Sequence, residues 1–286
     1  MRLFRGYWDA IVRLYFDYGI ALAGAVTFSI VLALFPFLIF VTALAGFLGG
    51  EAAADRAVAQ LFEVLPKEVA DGIAPEVRRV LSQPRGDLLT LGIFLTLVIS
   101  SSGVESLRTA LNRAYRVEED RSFWYRRLQS FAFVVGGAAA MLVVGFSIVI
   151  VPVLREFAGK HVKFLESYGA LFNDLRIFTG TVVLAAILYA MHYWLPAGWR
   201  RMSDIWPGIL HTMGLWLVAG TAYSQYLAYY NFYASTYAGL ANVMIALFFF
   251  FISAVIFVFG AELNRAIIED RERHAGAAAG NEESPP

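Results

Sequence analysis

Four polar side chains recur at helical spacing in the segment "SSSGVESLRTALNRAY", and they are the residues best placed to do chemistry. They are Ser101, Glu105, Arg108 and Asn112. A spacing of three or four residues places side chains on one face of an α-helix. The segment directly follows an apolar run, so a carboxylate and a guanidinium stand where a membrane-spanning helix would still be apolar. Ionisable groups at membrane depth are costly and face a partner or a wet cavity.

Two interpretations of this polar row stay open. In the functional one, Glu105 and Arg108 line a polar pathway through a helical bundle. In the structural one, these two residues pair with each other, three positions apart, just outside the hydrocarbon, and do nothing more.

A second polar cluster closes the last apolar stretch, where the sequence reads "GAELNR". Its polar members are Glu262, Asn264 and Arg265. In a bundle of six spans, the inner ends of the second and the sixth lie on the same side of the membrane, so the polar row and this cluster do as well. Glu262 is therefore expected to meet Arg108 or Arg113 and to latch that end of the bundle. The alternative is a helix-end anchor whose side chains reach the interface.

Pro36 interrupts the apolar segment "VTFSIVLALFPFLIFV". Proline removes one backbone hydrogen bond and frees a carbonyl near Leu32, which bends the helix. Neighbouring helices or hydroxyl groups must satisfy that carbonyl because lipid cannot. Pro36 is interpreted either as a fixed kink that shapes the bundle or as a hinge beside a cavity.

The residue types needed for most enzyme chemistry are missing or scattered. The chain has no cysteine, and its four histidines stand far apart, at His161, His192, His211 and His274. Metal-dependent hydrolysis needs clustered ligands, and nucleotide binding needs a glycine-rich loop, which the sequence lacks. We therefore predict no catalytic, metal or cofactor-binding residues, no cofactor, and a protein that is not an enzyme. The formal net charge of zero gives no signal for nucleic acid.

The elements that position these residues are membrane-spanning helices. Hydrophobic residues make up 59% of the 286 and charged residues only 16%, whereas soluble domains have about 25% charged residues. Six apolar stretches reach the length of about 20 residues that a bilayer requires. They are Gly19–Leu48, Leu88–Ala110, Leu128–Leu154, Leu175–Leu195, Ile205–Tyr230 and Ala238–Ile268. The predicted fold is an all-α, polytopic bundle of six membrane-spanning helices.

The distribution of positive charge orients the bundle with both termini in the cytoplasm. Fourteen of the 23 Lys and Arg residues then lie on the inner side. Residues 1–18 are predicted to form an amphipathic helix in the cytoplasmic interface, followed by a transmembrane domain over 19–270. Short amphipathic helices over 51–87 are predicted to form an outer lid, and residues 271–286 a disordered cytoplasmic tail.

Three stretches carry a resemblance to a known family. They are "GAVTFSIVLALFPFLIFVTALAGFLG", "SSGVESLRTALNRAYRVEEDRSFWYRR" and "YASTYAGLANVMIALFFFFISAVIFVFGAELNRA". In order and spacing they resemble the YihY/virulence factor BrkB family of bacterial inner-membrane proteins, formerly labelled ribonuclease BN. The resemblance implies six membrane helices with cytoplasmic ends, and roles that range from transport to envelope maintenance. The family commonly has serine before its Phe-Pro pair, near Ala33, and this chain lacks that hydroxyl.

Two functions are open at this point. In one, the bundle moves or handles a lipid or small solute, so its partners are membrane lipids and that substrate. In the other, it is a scaffold that recruits envelope partners. A ribonuclease is a distant alternative, and the sequence does not indicate whether the chain forms a homo-oligomer. A water-accessible cavity that reaches Glu105 would favour transport, and a dry bundle would favour the scaffold.

Overall fold

The computed structural model describes residues 2–49, 59, 70, 89–161, 169–229 and 232–282. Seven α-helices of 15 residues or more run through them, and no strand occurs in these ranges. The helices are α1 (Arg2–Phe16), α2 (Gly19–Gly49), α3 (Leu89–Tyr115), α4 (Phe123–His161), α5 (Gly169–Trp194), α6 (Met202–Tyr229) and α7 (Phe232–Glu282).

The predicted all-α fold is confirmed, and the chain has helices suited to a membrane. Three described segments are long and apolar enough to cross a bilayer, namely Phe123–Val144, Ile177–Trp194 and Val243–His274. The pair Gly6–Phe16 and Gly19–Leu34, bent by 67°, would add a fourth if it formed one span. Each of the six predicted spans overlaps one of α2 to α7, but the count of six spans stays a prediction.

The core of the bundle is formed where α2, α3 and α7 meet. Small side chains line these contacts and let the helix backbones approach closely. Fully or almost fully buried examples are Ala23, Ala110, Ala114, Ala254 and Ala261. Helix α4 packs on α3, α5 packs on α4, and α6 lies between α5 and α7. Both candidate polar segments, on α3 and α7, therefore lie on the central helices.

Helix α1 packs on the outside of α7. Tyr7, Ala10 and Leu14 contact the cluster formed around Phe259 and Leu263 on α7. The exposed side of α1 is apolar as well, and it presents Trp8, Ile11 and Tyr15. The segment predicted over 1–18 thus forms a helix. Some of its apolar side chains pack on the bundle, and the others are exposed on the surface. Its place in a membrane interface stays a prediction.

The C-terminal segment differs from the sequence prediction. Residues 271–286 were expected to be disordered, but α7 continues as a helix to Glu282. Alanine, which has the highest helix propensity, occupies 275 and 277–279. An ion pair between Arg271 and Asp204 also ties this extension to α6.

Two further predictions concern the outer half of the chain. Pro36 lies inside α2, which is assigned as one helix on both sides of it; whether it acts as a kink or a hinge stays a prediction. The predicted lid over 51–87 lies outside the described residues, apart from residues 59 and 70.

Candidate functional site

The polar row on α3 is largely buried, and its charged pair is joined to α4. Arg108 is only 1% exposed and forms an ion pair with Glu105. The same guanidinium donates to the carbonyl of Arg126 at 3.0 Å, to Gln129 at 3.1 Å and to Ser130 at 2.9 Å. The pairing of Glu105 with Arg108, which the structural interpretation expected, is observed. The terminal nitrogens of Arg108 bond to α3 and α4, whereas its buried Nε has no partner among the described residues.

Glu105 stands at the edge of this α3–α4 cluster. It accepts a hydrogen bond from Ser130 at 3.2 Å and lies 3.6 Å from Arg126. Its side chain is 36% exposed. Ser101, by contrast, is buried and donates only to the backbone carbonyl of Val98 within its own helix. The members of the predicted row thus have different partners.

Asn112, the last member of the row, holds two loops together. Its side-chain amide donates to Glu119 at 3.0 Å, and its carbonyl oxygen accepts from the backbone N–H of Ala197 at 2.8 Å. Arg121 also pairs with Glu119, at 2.6 Å. Burial alone would raise the pKa of Glu119, but the hydrogen bonds from Arg121 and Asn112 outweigh it and lower that pKa to about 2. We call Asn112, Glu119 and Arg121 the loop clamp.

Arg116 ends α3 in a conformation that is uncommon for a residue other than glycine. Its φ is +55°, and the backbone N–H groups of Arg116 and Val117 bond back to the carbonyls of Arg113 and Asn112. This is the pattern of a Schellman C-cap, whose left-handed position is usually glycine. The turn carries the side chain of Arg116 away from α3.

The guanidinium of Arg116 lies close to carboxylates from two other parts of the fold. It lies 2.5 Å from Asp17 between α1 and α2, 3.3 Å from Glu262 and 4.0 Å from Glu269 on α7. The predicted partner of Glu262, Arg108 or Arg113, was therefore wrong. The reason is geometric. Arg108 faces α4, whereas the left-handed turn at the end of α3 directs the side chain of Arg116 towards α7.

Asn264, the second predicted residue on α7, bonds to the backbone of α6. Its side-chain oxygen accepts from the N–H of Gly208 at 2.6 Å, and its amide nitrogen donates to the carbonyl of Ile205 at 3.1 Å. Pro207 lies between these two residues and disturbs the backbone hydrogen bonding of α6. Asn264 therefore supplies polar partners at a defect in the neighbouring helix.

The same amide nitrogen reaches a buried tyrosine and histidine. Asn264 donates to the Tyr115 hydroxyl at 3.0 Å, and that hydroxyl lies 2.8 Å from Nδ1 of His192. His192 and Asn264 are 0% exposed. Nε2 of His192 has no partner among the described residues. Tyr115, His192 and Asn264 thus form a polar network, which we call the tyrosine network, across α3, α5 and α7.

Helices α6 and α7 cross at two glycines beside this network. A Cβ on Gly208 would collide with the carbonyl oxygen of Gly260 and lie 2.6 Å from the side chain of Asn264. A Cβ on Gly260 would lie 2.9 Å from the carbonyl oxygen of Gly208 and would collide with Thr212. Only glycine at both positions lets the backbones come this close.

A cavity of about 390 Å³ opens at the end of the bundle where α3 ends and α6 begins. Its walls come from the end of α3, the loop between α5 and α6, the start of α6, and α7. They are formed by Tyr115, Val117, Trp199, Arg200, Arg201, Asp204, Arg265, Ile268, Arg271 and Glu272. Tyr115 therefore connects the cavity with the tyrosine network, whereas Glu105 does not line this cavity.

Several residues of these sites were not identified from the sequence. Tyr115 lies on the side of α3 that helical spacing predicts to be apolar, and His192 stands alone among four scattered histidines. Arg116 was not singled out because its partners lie on other parts of the fold, and Glu119 was not because its role depends on Asn112 in α3 as well as on Arg121 in its own loop. Pro207 and Gly208, adjacent inside an apolar stretch, were a sign in the sequence of a disturbed helix.

Within the described ranges, no group of three or more His, Asp or Glu residues is placed to hold a metal ion.

Comparisons with known proteins agree with the membrane fold. The chain is 26% identical over 259 residues to "Putative ribonuclease-like protein YfkH" of Bacillus subtilis, covering 89% of this chain and 92% of that relative. It is 21% identical over 180 residues to a "UPF0761 membrane protein" of Tolumonas auensis, covering 63% of this chain and 58% of that protein. No solved structure matches. The family model described as virulence factor BrkB matches residues 10–284, and the chain therefore belongs to the virulence factor BrkB family.

Proposed function

We propose that this protein is a multi-pass protein of the bacterial inner membrane that handles a lipid or small solute in a transporter-like way. The proposal includes six spans, with both termini in the cytoplasm, as the distribution of Arg and Lys favours. In this orientation the cavity, the loop clamp and the Arg116 ion pairs lie at the cytoplasmic end.

The observation that supports this function is the tyrosine network inside an apolar bundle. A helix that only anchors or packs has no need of a fully buried histidine with an unbonded nitrogen, since burying a polar group costs free energy unless it is bonded. Here Nε2 of His192 and Oγ1 of Thr212, both buried, lack partners among the described residues. Atoms of this kind are suited to bonding with water or a passing polar group.

Complementation of a deletion strain tests the proposal. Glu262→Gln, His192→Leu and Asn264→Leu should each impair the cellular role although the variants are expressed and inserted. Arg113→Gln is the matched control, because Arg113 is exposed at the same end of α3 and should be dispensable. Mass spectrometry of the wild-type protein purified with native lipids should show an enriched small molecule or lipid. Full complementation by all three variants would contradict the proposal.

A scaffold remains the second candidate, and a specific surface favours it. Phe123, Trp124 and Tyr125 begin α4 and are all exposed. Aromatic residues are enriched at protein–protein contacts, so these three could receive an envelope partner. If this function is correct, Trp124→Ala should abolish the cellular role while the tyrosine-network variants complement fully.

A ribonuclease is the distant alternative, supported by the name of the Bacillus relative. Incubation of the purified protein with labelled RNA, with and without divalent cations, tests it directly. Cleavage that copurifies with the wild-type chain would support this activity and would contradict a purely transporting or scaffolding role.

A further inference from the structure

The cavity at the α3–α6 end carries an excess of positive charge. Four of its lining residues are arginines, and two are acidic. Arg271 is paired with Asp204, and Arg265 is paired with Glu269 at 2.8 Å. The remaining two arginines, Arg200 and Arg201, have no carboxylate partner among the described residues. Glu272, also in the wall, lies 4.0 Å from Arg265 and is mostly exposed. The arginines of this cavity that have no carboxylate partner are therefore two adjacent side chains.

Arg200 is held in place without being neutralised. Its guanidinium donates to the backbone carbonyls of Ala197 at 2.9 Å and Pro196 at 3.0 Å, and it stacks 4.6 Å from the centre of the Tyr115 ring. Its Nε is buried and has no partner in the described part of the chain. Burial lowers the pKa of Arg200, with Arg121 adding to the effect and Tyr115 opposing it. A fixed, partly desolvated guanidinium whose charge no described carboxylate balances favours an anion in the cavity that it lines.

Arg201 differs from Arg200 in that its side chain is exposed. No hydrogen bond or ion pair of this side chain occurs with any described residue. A flexible cation beside a fixed one can close on an anion that enters the cavity. The cavity volume of about 390 Å³ falls within the range of about 300–1,000 Å³ found for small-molecule sites.

One exposed tryptophan lies in the wall of this cavity, and two more lie near the ends of the helices that flank the α5–α6 loop. Trp199, in its wall, is 94% exposed, and Trp194 and Trp206 are also exposed. Tryptophan is enriched where a protein meets the headgroup layer of a membrane. An anion at this level is carried either by a lipid headgroup or by a small molecule from the aqueous side. The chemistry common to both is a phosphate group.

We infer that this cavity is a binding site for a phosphate group, held between Arg200 and Arg201 beside Tyr115. The site gives the proposed function a substrate class and rests on that function for its role in a transport cycle. The binding step does not require transport, so it can be measured even if the proposed function is wrong.

The experiment uses the full chain in dodecyl maltoside micelles, because this detergent carries no phosphate group that could occupy the site. One arm adds inorganic phosphate, and the other adds dihexanoyl phosphatidylglycerol, with tryptophan fluorescence as the signal in both. Trp199→Phe identifies the part of the signal that comes from the cavity. Arg201→Gln is the main variant because Arg201 has no described structural contact, and Arg113→Gln is the control for a general loss of positive charge.

We expect saturable binding in at least one arm, weakened about tenfold by Arg201→Gln, because this variant removes a charge-assisted hydrogen bond to the phosphate. Arg201→Lys should restore part of the affinity, and Arg113→Gln should leave it unchanged. Binding of inorganic phosphate alone would identify a soluble source, and binding of the lipid alone a headgroup. Absence of binding in both arms, or equal weakening by Arg201→Gln and Arg113→Gln, would overturn the inference.

Discussion

The guanidinium of Arg116 lies 3.3 Å from the buried carboxylate of Glu262, across the contact between α3 and α7. Glu262 is 1% exposed, and a carboxylate in such a place is stable only when it is paired and hydrogen-bonded. Asp17 and Glu269 share the same arginine. Arg116 therefore joins the α1–α2 turn, the end of α3 and α7 at one point.

The first prediction is a double-mutant cycle on this pair. Arg116→Gln should destabilise the protein strongly, because removal of one partner leaves a buried charge uncompensated. Combined with Glu262→Gln, it should cost less than the sum of the single changes, by a coupling of about 0.5–3 kcal/mol. Denaturant unfolding in detergent measures this coupling. The matched pair Arg113→Gln and Glu262→Gln should be additive, and an additive result for Arg116 would show that the ion pair contributes nothing.

The second prediction concerns the crossing of α6 and α7. Gly208→Ala should destabilise the protein by about 1–3 kcal/mol or more, because its Cβ would collide with the carbonyl oxygen of Gly260. Gly214 lies in the same helix, and a Cβ there meets nothing within 4 Å. Gly214→Ala should therefore be neutral or stabilise by about 0.5–1 kcal/mol, since alanine favours helix. Thermal unfolding of the two variants measures the difference in stability. Equal melting temperatures would contradict the close approach of the two backbones.

The third prediction is a pH dependence that arises from the loop clamp. The pKa of Glu119 falls from 4.5 to about 2 in the folded protein. A depressed carboxyl pKa contributes stability that is complete above the unfolded value and is lost as pH falls towards the folded one. The wild type should therefore lose thermal stability between about pH 4.5 and pH 2.

Glu119→Gln isolates this contribution. The variant should be less stable than the wild type at pH 7, and the difference between the two should shrink on acidification. Glu118→Gln is the control, because Glu118 is the exposed neighbour of Glu119. Parallel pH profiles for the wild type and Glu119→Gln would exclude Glu119 as the source.

The fourth prediction tests the proposed topology. The chain has no native cysteine, so single cysteines report their own position without interference. Cys at Ser82, in the predicted outer segment, should react with an impermeant thiol reagent in spheroplasts. Cys at Ser122, between α3 and α4, should react only after the membrane is permeabilised. The reverse pattern, or labelling at both positions, would contradict the six-span orientation.

The fifth prediction separates the two interpretations of Pro36. Pro36→Ala restores a backbone donor within α2 and should straighten the helix. A fixed kink predicts altered packing and a changed melting temperature. A hinge predicts a stable fold that fails to complement a deletion strain. If stability and complementation are both unchanged, Pro36 has neither role.

The sequence predicted the features that depend on one segment at a time. Apolar stretches of bilayer length located α2 to α7, and the spacing of Glu105 and Arg108 within one helix led to their pairing as one of two interpretations. Contacts that depend on how distant segments pack together were not predicted correctly. The partner of Glu262 is decided by a left-handed turn at Arg116, and no residue-type signal marks that turn, because glycine normally occupies it.

The tyrosine network also depends on contacts between distant segments, which the pattern of one helix does not predict. Tyr115 stands on the side of α3 that periodicity assigns to packing, and it is indeed buried. Its hydroxyl nevertheless meets His192 on α5 and Asn264 on α7. An amphipathic pattern reports which side of a helix is apolar. It does not report where the polar end of a tyrosine finds its partners, because that depends on the positions of three helices.

The contact of Gly208 with Gly260 constrains any motion of the bundle. Two helices whose backbones touch cannot slide past each other or rotate about their axes without breaking that contact, and the bonds of Asn264 to α6 add to the constraint. We therefore expect α6 and α7 to move together near this crossing. If this protein alternates between states, we expect the relative motion to occur at other helix contacts and the cavity wall formed by Asp204 and Arg271 to keep its shape.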